Sequence, residues 1–316
     1  DEISFVQMDA KSLIAGKTLI PCEGDIYLLP ELRVEQQINP LLIQSARAMG
    51  VKPYAIVFEM THPDAEKTRE ALLNFDGVLT ASRVFADELM QLIRLHQVDS
   101  STEKRPYIGV FPFGADQRPP KNMRTDRSMQ RLFRGKMPVF FVLEPKQLSS
   151  DQSLVIQAFS QLWREGVACK LCILSSTRAG KEAIDANKTL RAAFPGKFLF
   201  LDCVDDATKQ YAFQHATALI EATYEFEGGL TVLEAASNRL PIICSKSLTH
   251  YEAAGEHAMY FSLDVESLAQ CVREFLCLHE LGQAPDSSKI DLFTWNEAAN
   301  CISAMVIKNT GWTYRE

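Results

Sequence analysis

The stretch Ala222-Thr223-Tyr224-Glu225-Phe226-Glu227-Gly228-Gly229-Leu230-Thr231-Val232-Leu233-Glu234-Ala235-Ala236 decides how this chain is read. It runs from the end of an apolar strand pattern, through acids and glycines, into a helix pattern. Glycines let a backbone come close to a ligand, and a helix N-terminus presents unpaired amides with a partial positive charge. That combination suits a diphosphate. Glu234 falls about one helical turn inside, where a carboxylate can accept hydrogen bonds from sugar hydroxyls. A bare Gly-Gly would read more simply as a turn beside solvated acids, so the surroundings decide.

Outward from this stretch the chain alternates between short apolar runs and amphipathic segments. Strands are expected at 139–144, 170–175, 198–202, 218–222, 241–245 and 258–262, with helices near 151–164, 179–194, 207–215, 230–238 and 265–279. Asp151 and Asp205 are N-cap candidates. An earlier series has strands at 25–30, 54–59, 77–82 and 107–113 and helices near 34–49, 64–73 and 84–96. Strands that each lead into a helix imply parallel sheets covered on both faces. The fold class is therefore α/β: two Rossmann-like parallel-sheet domains facing a cleft. In such sheets ligands bind beyond the carboxyl ends of the strands.

The 316 residues suit two domains, and 47% hydrophobic with 23% charged residues excludes disordered and fibrous classes. A net charge of -7 argues against a nucleic-acid partner. No apolar run approaches the roughly 20 residues of a membrane helix. The first residues, from Asp1, contain no initiator Met and no secretory signal, so the chain is expected to be cut from something longer and to be cytoplasmic. Cys169 and Cys172 form a Cys-x-x-Cys inside a buried-strand pattern, and the remaining cysteines are scattered. They read as small hydrophobes in a reducing compartment, with no metal site.

The deciding stretch resembles glycosyltransferase family 4, which carries a Glu, seven residues, then a second Glu followed by Ala around a Gly-rich turn. The resemblance continues through Phe198-Leu199-Phe200-Leu201-Asp202-Cys203-Val204-Asp205-Asp206, Leu240-Pro241-Ile242-Ile243-Cys244-Ser245 and Tyr251-Glu252-Ala253-Ala254-Gly255-Glu256-His257. It covers about residues 138–307, more weakly 54–114. It implies a GT-B architecture and retaining sugar transfer from a nucleotide-sugar donor to a glycan or lipid-linked acceptor, with no metal and no further cofactor. By the same resemblance Glu234 holds the ribose, the turn amides of Gly228, Gly229, Leu230 and Thr231 meet diphosphate and sugar, and backbone near Val204 reads the base. A final helix, Trp295 to Val306, is expected to cross back onto the first domain.

This sequence departs from the family pattern in places. Phe226 stands at the offset of the first Glu, with Glu225 and Glu227 on either side, so both acids are candidates to face the donor sugar. In the turn after the strand at 139–144, where the family has Arg and Lys, only Lys146 remains to balance the leaving diphosphate. The first domain is short or truncated, and the family's His after a middle strand is Phe58, with Glu59 and His62 nearby.

The expected division is an incomplete acceptor-side domain over 1–118, a basic linker over 119–138, a nucleotide-sugar-binding domain over 139–290 and a bridging helix over 291–316. Arg124, Arg127, Arg131 and Arg134 would line one helix face, a solvated linker or a contact with anionic lipid at the inner membrane face. Trp312 and Tyr314 read as tail packing. Transfer chemistry is the leading function. A degenerate GT-B module that only binds a glycan or a partner protein is the alternative. A dinucleotide-dependent oxidoreductase is weak, since no Gly-x-Gly-x-x-Gly follows an early strand.

Overall fold

The computed structural model describes residues 22–30, 32, 40–58, 65–95, 105–116, 126–144, 150–175, 178, 181–223 and 229–315. The expectations placed on Lys146, Glu225, Glu227, Gly228, Glu59 and His62 lie outside the described residues. By its contacts the chain divides into two compact units. One is 1–79 with 90–109 and 304–316, and the other is 80–89 with 110–303. Among the described residues no helix is long and apolar enough to cross a membrane.

Strands and helices alternate from the start. β1 (Ile26–Leu29), β2 (Lys52–Ile56), β3 (Gly77–Thr80) and β4 (Tyr107–Val110) form one sheet in that order, with α1 (Pro40–Ala48), α2 (Ala65–Leu72) and α3 (Arg83–Leu95) in the connections. β1 to β3 are parallel. Bonds from Tyr107 N to Asp76 O and from Phe111 N to Thr80 O, both 3.0 Å, carry the same direction into β4. The start of α3 belongs to the second unit, and there the Glu252 carboxylate accepts from Ser82 Oγ at 2.5 Å, Arg83 N at 2.6 Å and Val84 N at 3.2 Å. A helix N-terminus is thus capped by an acid 169 positions away in sequence.

The last residues of the chain complete the first unit. Trp312 stacks on Tyr54, ring centroids 5.8 Å apart, and meets Tyr107 at 5.6 Å. Its indole fills the space in front of Gly77, where any Cβ would collide with the ring. Thr313 N and Tyr314 N both donate to Ile108 O at 2.9 Å, and Ile108 N returns a bond of 2.9 Å to Tyr314 O. Trp312 and Tyr314 are tail packing, as their sequence position implied.

The second sheet contains β5 (Val139–Glu144), β6 (Lys170–Ser175), β7 (Phe198–Leu201), β8 (Ala218–Glu221), β9 (Ile242–Ser245) and β10 (Met259–Phe261). The order is β10-β9-β8-β5-β6-β7, and all pairs are parallel. The helices are α4 (Arg127–Leu132), α5 (Ser150–Arg164), α6 (Lys181–Ala193), α7 (Asp206–His215), α8 (Leu230–Ser237), α9 (Leu248–Ala254), α10 (Val265–Glu280) and α11 (Trp295–Val306). Strand alternation sorts side chains into two cores. Phe140, Leu171 and Ile173 pack with Phe159 and Trp163 of α5 and Phe275 of α10. On the other face Phe141, Cys172 and Leu219 pack with Phe213 of α7 and Val232, Ala235 and Ala236 of α8.

Several local expectations are sharpened. Asp205 caps α7, its carboxylate accepting from Thr208 N at 2.8 Å. α5 begins at Ser150, one residue before Asp151. Cys169 and Cys172 fall in opposite cores and cannot converge on one metal; burial pushes the Cys169 thiol up to about 11 and Cys172 higher still. Of the expected arginine face, Arg124 lies outside the described residues and Arg134 follows the helix, so α4 itself carries Arg127 and Arg131. It exposes Arg127 and Arg131 and buries Met129 and Leu132, so it has an apolar face after all. The half-hidden ammonium of Lys170 donates to Leu132 O at 2.5 Å and Arg134 O at 3.1 Å, tying the C-terminus of α4 to the start of β6.

The tail contacts generate a direct expectation. Trp312→Ala removes a nearly buried indole and should cost about 3–5 kcal/mol of the first unit's stability, read as a lowered urea midpoint by circular dichroism. A midpoint equal to wild type would mean the tail does not hold that unit together.

Candidate functional site

The strand order places the site. The chain goes from β5 to β6 on one side, while β8, reached later, pairs with β5 on the other. Connections that leave in opposite directions open a crevice at the carboxyl edge, where ligands of parallel sheets bind. The segments that follow Glu144 and Glu221 depart from these neighbouring strands.

Next to β8 the described residues form an open recess of about 270 Å³, solvent included. It is lined by Glu221, Thr223, Gly229, Leu230, Thr231, Val232, Thr249 and His250. One wall is the start of α8. Gly229, its N-cap, has φ 70 and ψ 17, a left-handed conformation, and as a glycine offers no side-chain cap. The helix's own bonding begins with Leu233 N to Gly229 O at 3.0 Å. The amides of Leu230, Thr231 and Val232 come before it, at the positive end of the helix dipole. A Cβ on Gly229 would stand 2.8 Å from the Cβ of Ala253 in α9. Small Ala235 and Ala236 bring the opposite face of α8 close onto the sheet.

The other wall is built from acceptors. Glu221 ends β8 with only 7% of its surface exposed and takes the Thr223 hydroxyl at 3.1 Å. Ser245 Oγ, at the end of β9, donates to Thr223 O at 2.5 Å, joining the two strand ends beyond the ladder. His250, 4% exposed, places Nδ1 3.0 Å from Ser245 O and 3.1 Å from Ser245 Oγ. Ser247 caps α9 by accepting from His250 N at 3.1 Å, which fixes Thr249 and His250 beside the recess. Burial lowers the imidazole's affinity for a second proton, opposed by the hydrogen bond to the Ser245 carbonyl. Burial and the neighbouring Glu221 charge keep Cys244 a thiol.

Gly229, Leu230 and Thr231 therefore come together as expected at the start of a helix. Glu234 lies further along α8, three residues after Thr231 and four after Leu230, on the same side of the helix and half-buried. It is not among the lining residues. Nor is Val204, which lies beyond β7 and donates its amide to Ser175 O at 3.1 Å at the end of β6. That is two strands from β8, roughly 10 Å along the same edge. Glu221, Thr223, Thr249 and His250 were missed. Glu221 falls inside the strand expected at 218–222, Thr223 directly after it, and Thr249 and His250 a few residues beyond the strand expected at 241–245, so their one signal was being polar near the carboxyl ends of strands.

No family model matches the chain. Curated relatives named serotype-specific mannosyltransferase WbdA, from Escherichia coli, align with 29% identity over 163 residues and, for another, 26% over 166 residues. These alignments take in 51% and 52% of this chain and 20% of each relative, so the chain matches about a fifth of their length. Among solved structures, trehalose 6-phosphate synthase from Burkholderia multivorans superposes with TM-score 0.67 at 11% identity, over 95% of this chain and 75% of that one. The pneumococcal O-GlcNAc transferase GtfA gives 0.60 at 14% identity, over 95% and 57%. TarM gives 0.59 at 11%, over 88% and 51%. At such identities the likeness is one of fold, and that fold is GT-B.

The wall at Gly229 carries two separable constraints. Gly229→Ala meets a left-handed backbone, costing about 1–2 kcal/mol, and a collision with Ala253. Pairing it with Ala253→Gly should restore the steric part and leave the torsional part. Urea unfolding of both variants measures the difference; equal losses would place the cost in the backbone alone.

Proposed function

We propose that this chain belongs to a retaining glycosyltransferase of family 4 that moves a sugar from a nucleotide-sugar donor to a glycan or lipid-linked acceptor. The observation that carries the reading is the set of amides behind Gly229, which offers them no side-chain cap, opening α8 at the point where the strand order reverses. A diphosphate seated there meets the helix dipole and N–H donors whose positions are fixed before it binds. The relationship in sequence to mannosyltransferases supports transfer over a module that only binds, and makes mannose the first sugar to test.

In this reading the nucleoside lies along the carboxyl edge of the second sheet, its ribose held by Glu234 and its base near the backbone of Val204. As the bond to the anomeric carbon breaks, negative charge grows on the departing diphosphate and positive charge on the sugar. The amides of Gly228, Gly229, Leu230 and Thr231, with the Lys146 ammonium on the segment leaving β5, take up the first. Glu225 or Glu227, on the segment leaving β8, faces the second. Lys146 and the amides fill the part a metal ion would otherwise play. No covalent sugar–enzyme intermediate is invoked.

Thermal shift against nucleoside diphosphates is the direct test. A ligand with Kd near about 10 μM, supplied at about 1 mM, should add roughly 2.7 kcal/mol of stability. Glu234→Ala should reduce that gain, measured against the variant's own unliganded melting point; identical gains would remove Glu234 from the site.

A second expectation concerns the chemical step. Lys146→Ala should lower kcat by about 10²-fold or more with little change in the donor KM, the pattern of an interaction made mainly in the transition state. Wild-type turnover in that variant would reassign the cation.

A further inference from the structure

His250 has no part in the scheme above, yet it is the most constrained polar side chain in the recess. Its Nδ1 is 3.0 Å from the Ser245 carbonyl oxygen, which can only accept. Ser245 Oγ, 3.1 Å from the same nitrogen, has its hydrogen committed to Thr223 O, another carbonyl, at 2.5 Å. Both neighbours therefore require Nδ1 to carry the proton. A neutral ring with its proton on Nδ1 has a bare lone pair on Nε2. Among the described residues Nε2 makes no hydrogen bond, although the side chain is 4% exposed and lines the recess. An acceptor in that state, on a side chain that lines the recess, can take a hydrogen bond from a hydroxyl that enters it.

We propose that His250 reads the donor sugar: Nε2 accepts a hydrogen bond from a hydroxyl of the transferred pyranose. This inference rests on the reading of the recess as a nucleotide-sugar site and deepens it. The chemistry of the walls selects a hydroxyl over a phosphate oxygen. A lone pair repels an anion, and the Glu221 carboxylate in the same lining adds negative charge, whereas the amides of Leu230 and Thr231 donate. Phosphate and sugar are thereby sorted to different groups of the lining. Glu221 ends β8 and the Ser245–His250 pair ends β9, one strand spacing apart, on the order of 5 Å. Hydroxyls across one pyranose ring span a similar distance. Through Ser245, the contact between the two strand ends also fixes which ring nitrogen faces the sugar, so Ser245 is a positioning residue and His250 the one that touches ligand.

The discriminating variant is His250→Asn, which keeps an N–H where Nδ1–H donates to Ser245 O and removes the Nε2 acceptor. Calorimetric titration would use GDP with GDP-mannose, and UDP with UDP-glucose as a second pair. For the pair that wild type prefers, the variant should bind the nucleoside diphosphate as wild type does and lose about fivefold to tenfold in affinity for the nucleotide-sugar. An unchanged ratio of the two affinities would overturn the inference and leave the nucleotide site standing. If wild type binds neither GDP nor UDP, the site reading falls and this inference with it, so the two failures are distinguishable. Nitrogen-15 spectra of histidine-labelled wild type provide a measurement independent of any variant's folding. They should report protonated Nδ1 and bare Nε2 at neutral pH, with the Nε2 resonance moving on addition of the nucleotide-sugar but not of the nucleoside diphosphate. A proton on Nε2, or a resonance indifferent to the sugar, would overturn it equally.

Discussion

A single backbone conformation governs the geometry of the recess. Gly229 turns the chain left-handed between β8 and α8 and does so against the Cβ of Ala253, leaving no room for a side chain of its own. Because the N-cap is glycine, no hydroxyl or carboxylate from that residue competes for the first helical amides. The turn that makes α8 possible is the same one that leaves its positive end open to a ligand. A serine or aspartate would give a better-capped helix and a poorer anion site.

That turn matters because of where the sheet puts it. With β5 flanked by β6 on one side and β8 on the other, the carboxyl edge opens at the junction. The two cores on either face hold the strands that carry it. Phe140 sits against Phe159 and Phe275, centroids 5.4 and 5.7 Å away, and Phe141 against Phe213 at 5.1 Å. Fully buried rings on both faces of one strand leave little freedom at its end. Beyond the ladder, hydrogen bonds take over from apolar packing: Glu221, Thr223, Ser245 and His250 are linked in series across the ends of β8 and β9. The network sets a cluster of acceptors beside the amides at the head of α8.

The first unit is finished by residues from the far end of the chain. Trp312 covers Tyr54 and the gap before Gly77, and Tyr314 bonds to Ile108 in β4. The basic segment likewise gained a role that its charge concealed. The arginines of α4 face outward, while Met129 and Leu132 join the second core and Lys170 secures the helix end. Composition described that segment as a solvated stripe. Its few apolar residues were enough to dock it because they fall three apart, on one side of a helical turn.

Periodicity and punctuation in the sequence determined the alternation of strands and helices, the parallel sheets, the Asp205 cap and the glycine turn at the head of α8. These are local properties: each depends on residues within a few positions of one another, and the resemblance to a family rested on the same segments. Tertiary structure alone decided what surrounds that turn. Glu221, Thr223, Ser245 and His250 come from β8 and its exit, β9 and α9, with α8 intervening in the chain. They meet only because β8 and β9 pair in a fixed register, Glu221 opposite Cys244. The cap on α3 comes from Glu252, far along the chain, and His250 Nδ1 meets the carbonyl and hydroxyl of Ser245. Hydrogen bonds of this kind depend on distances of a few ångströms across strands, and no spacing along the chain encodes them.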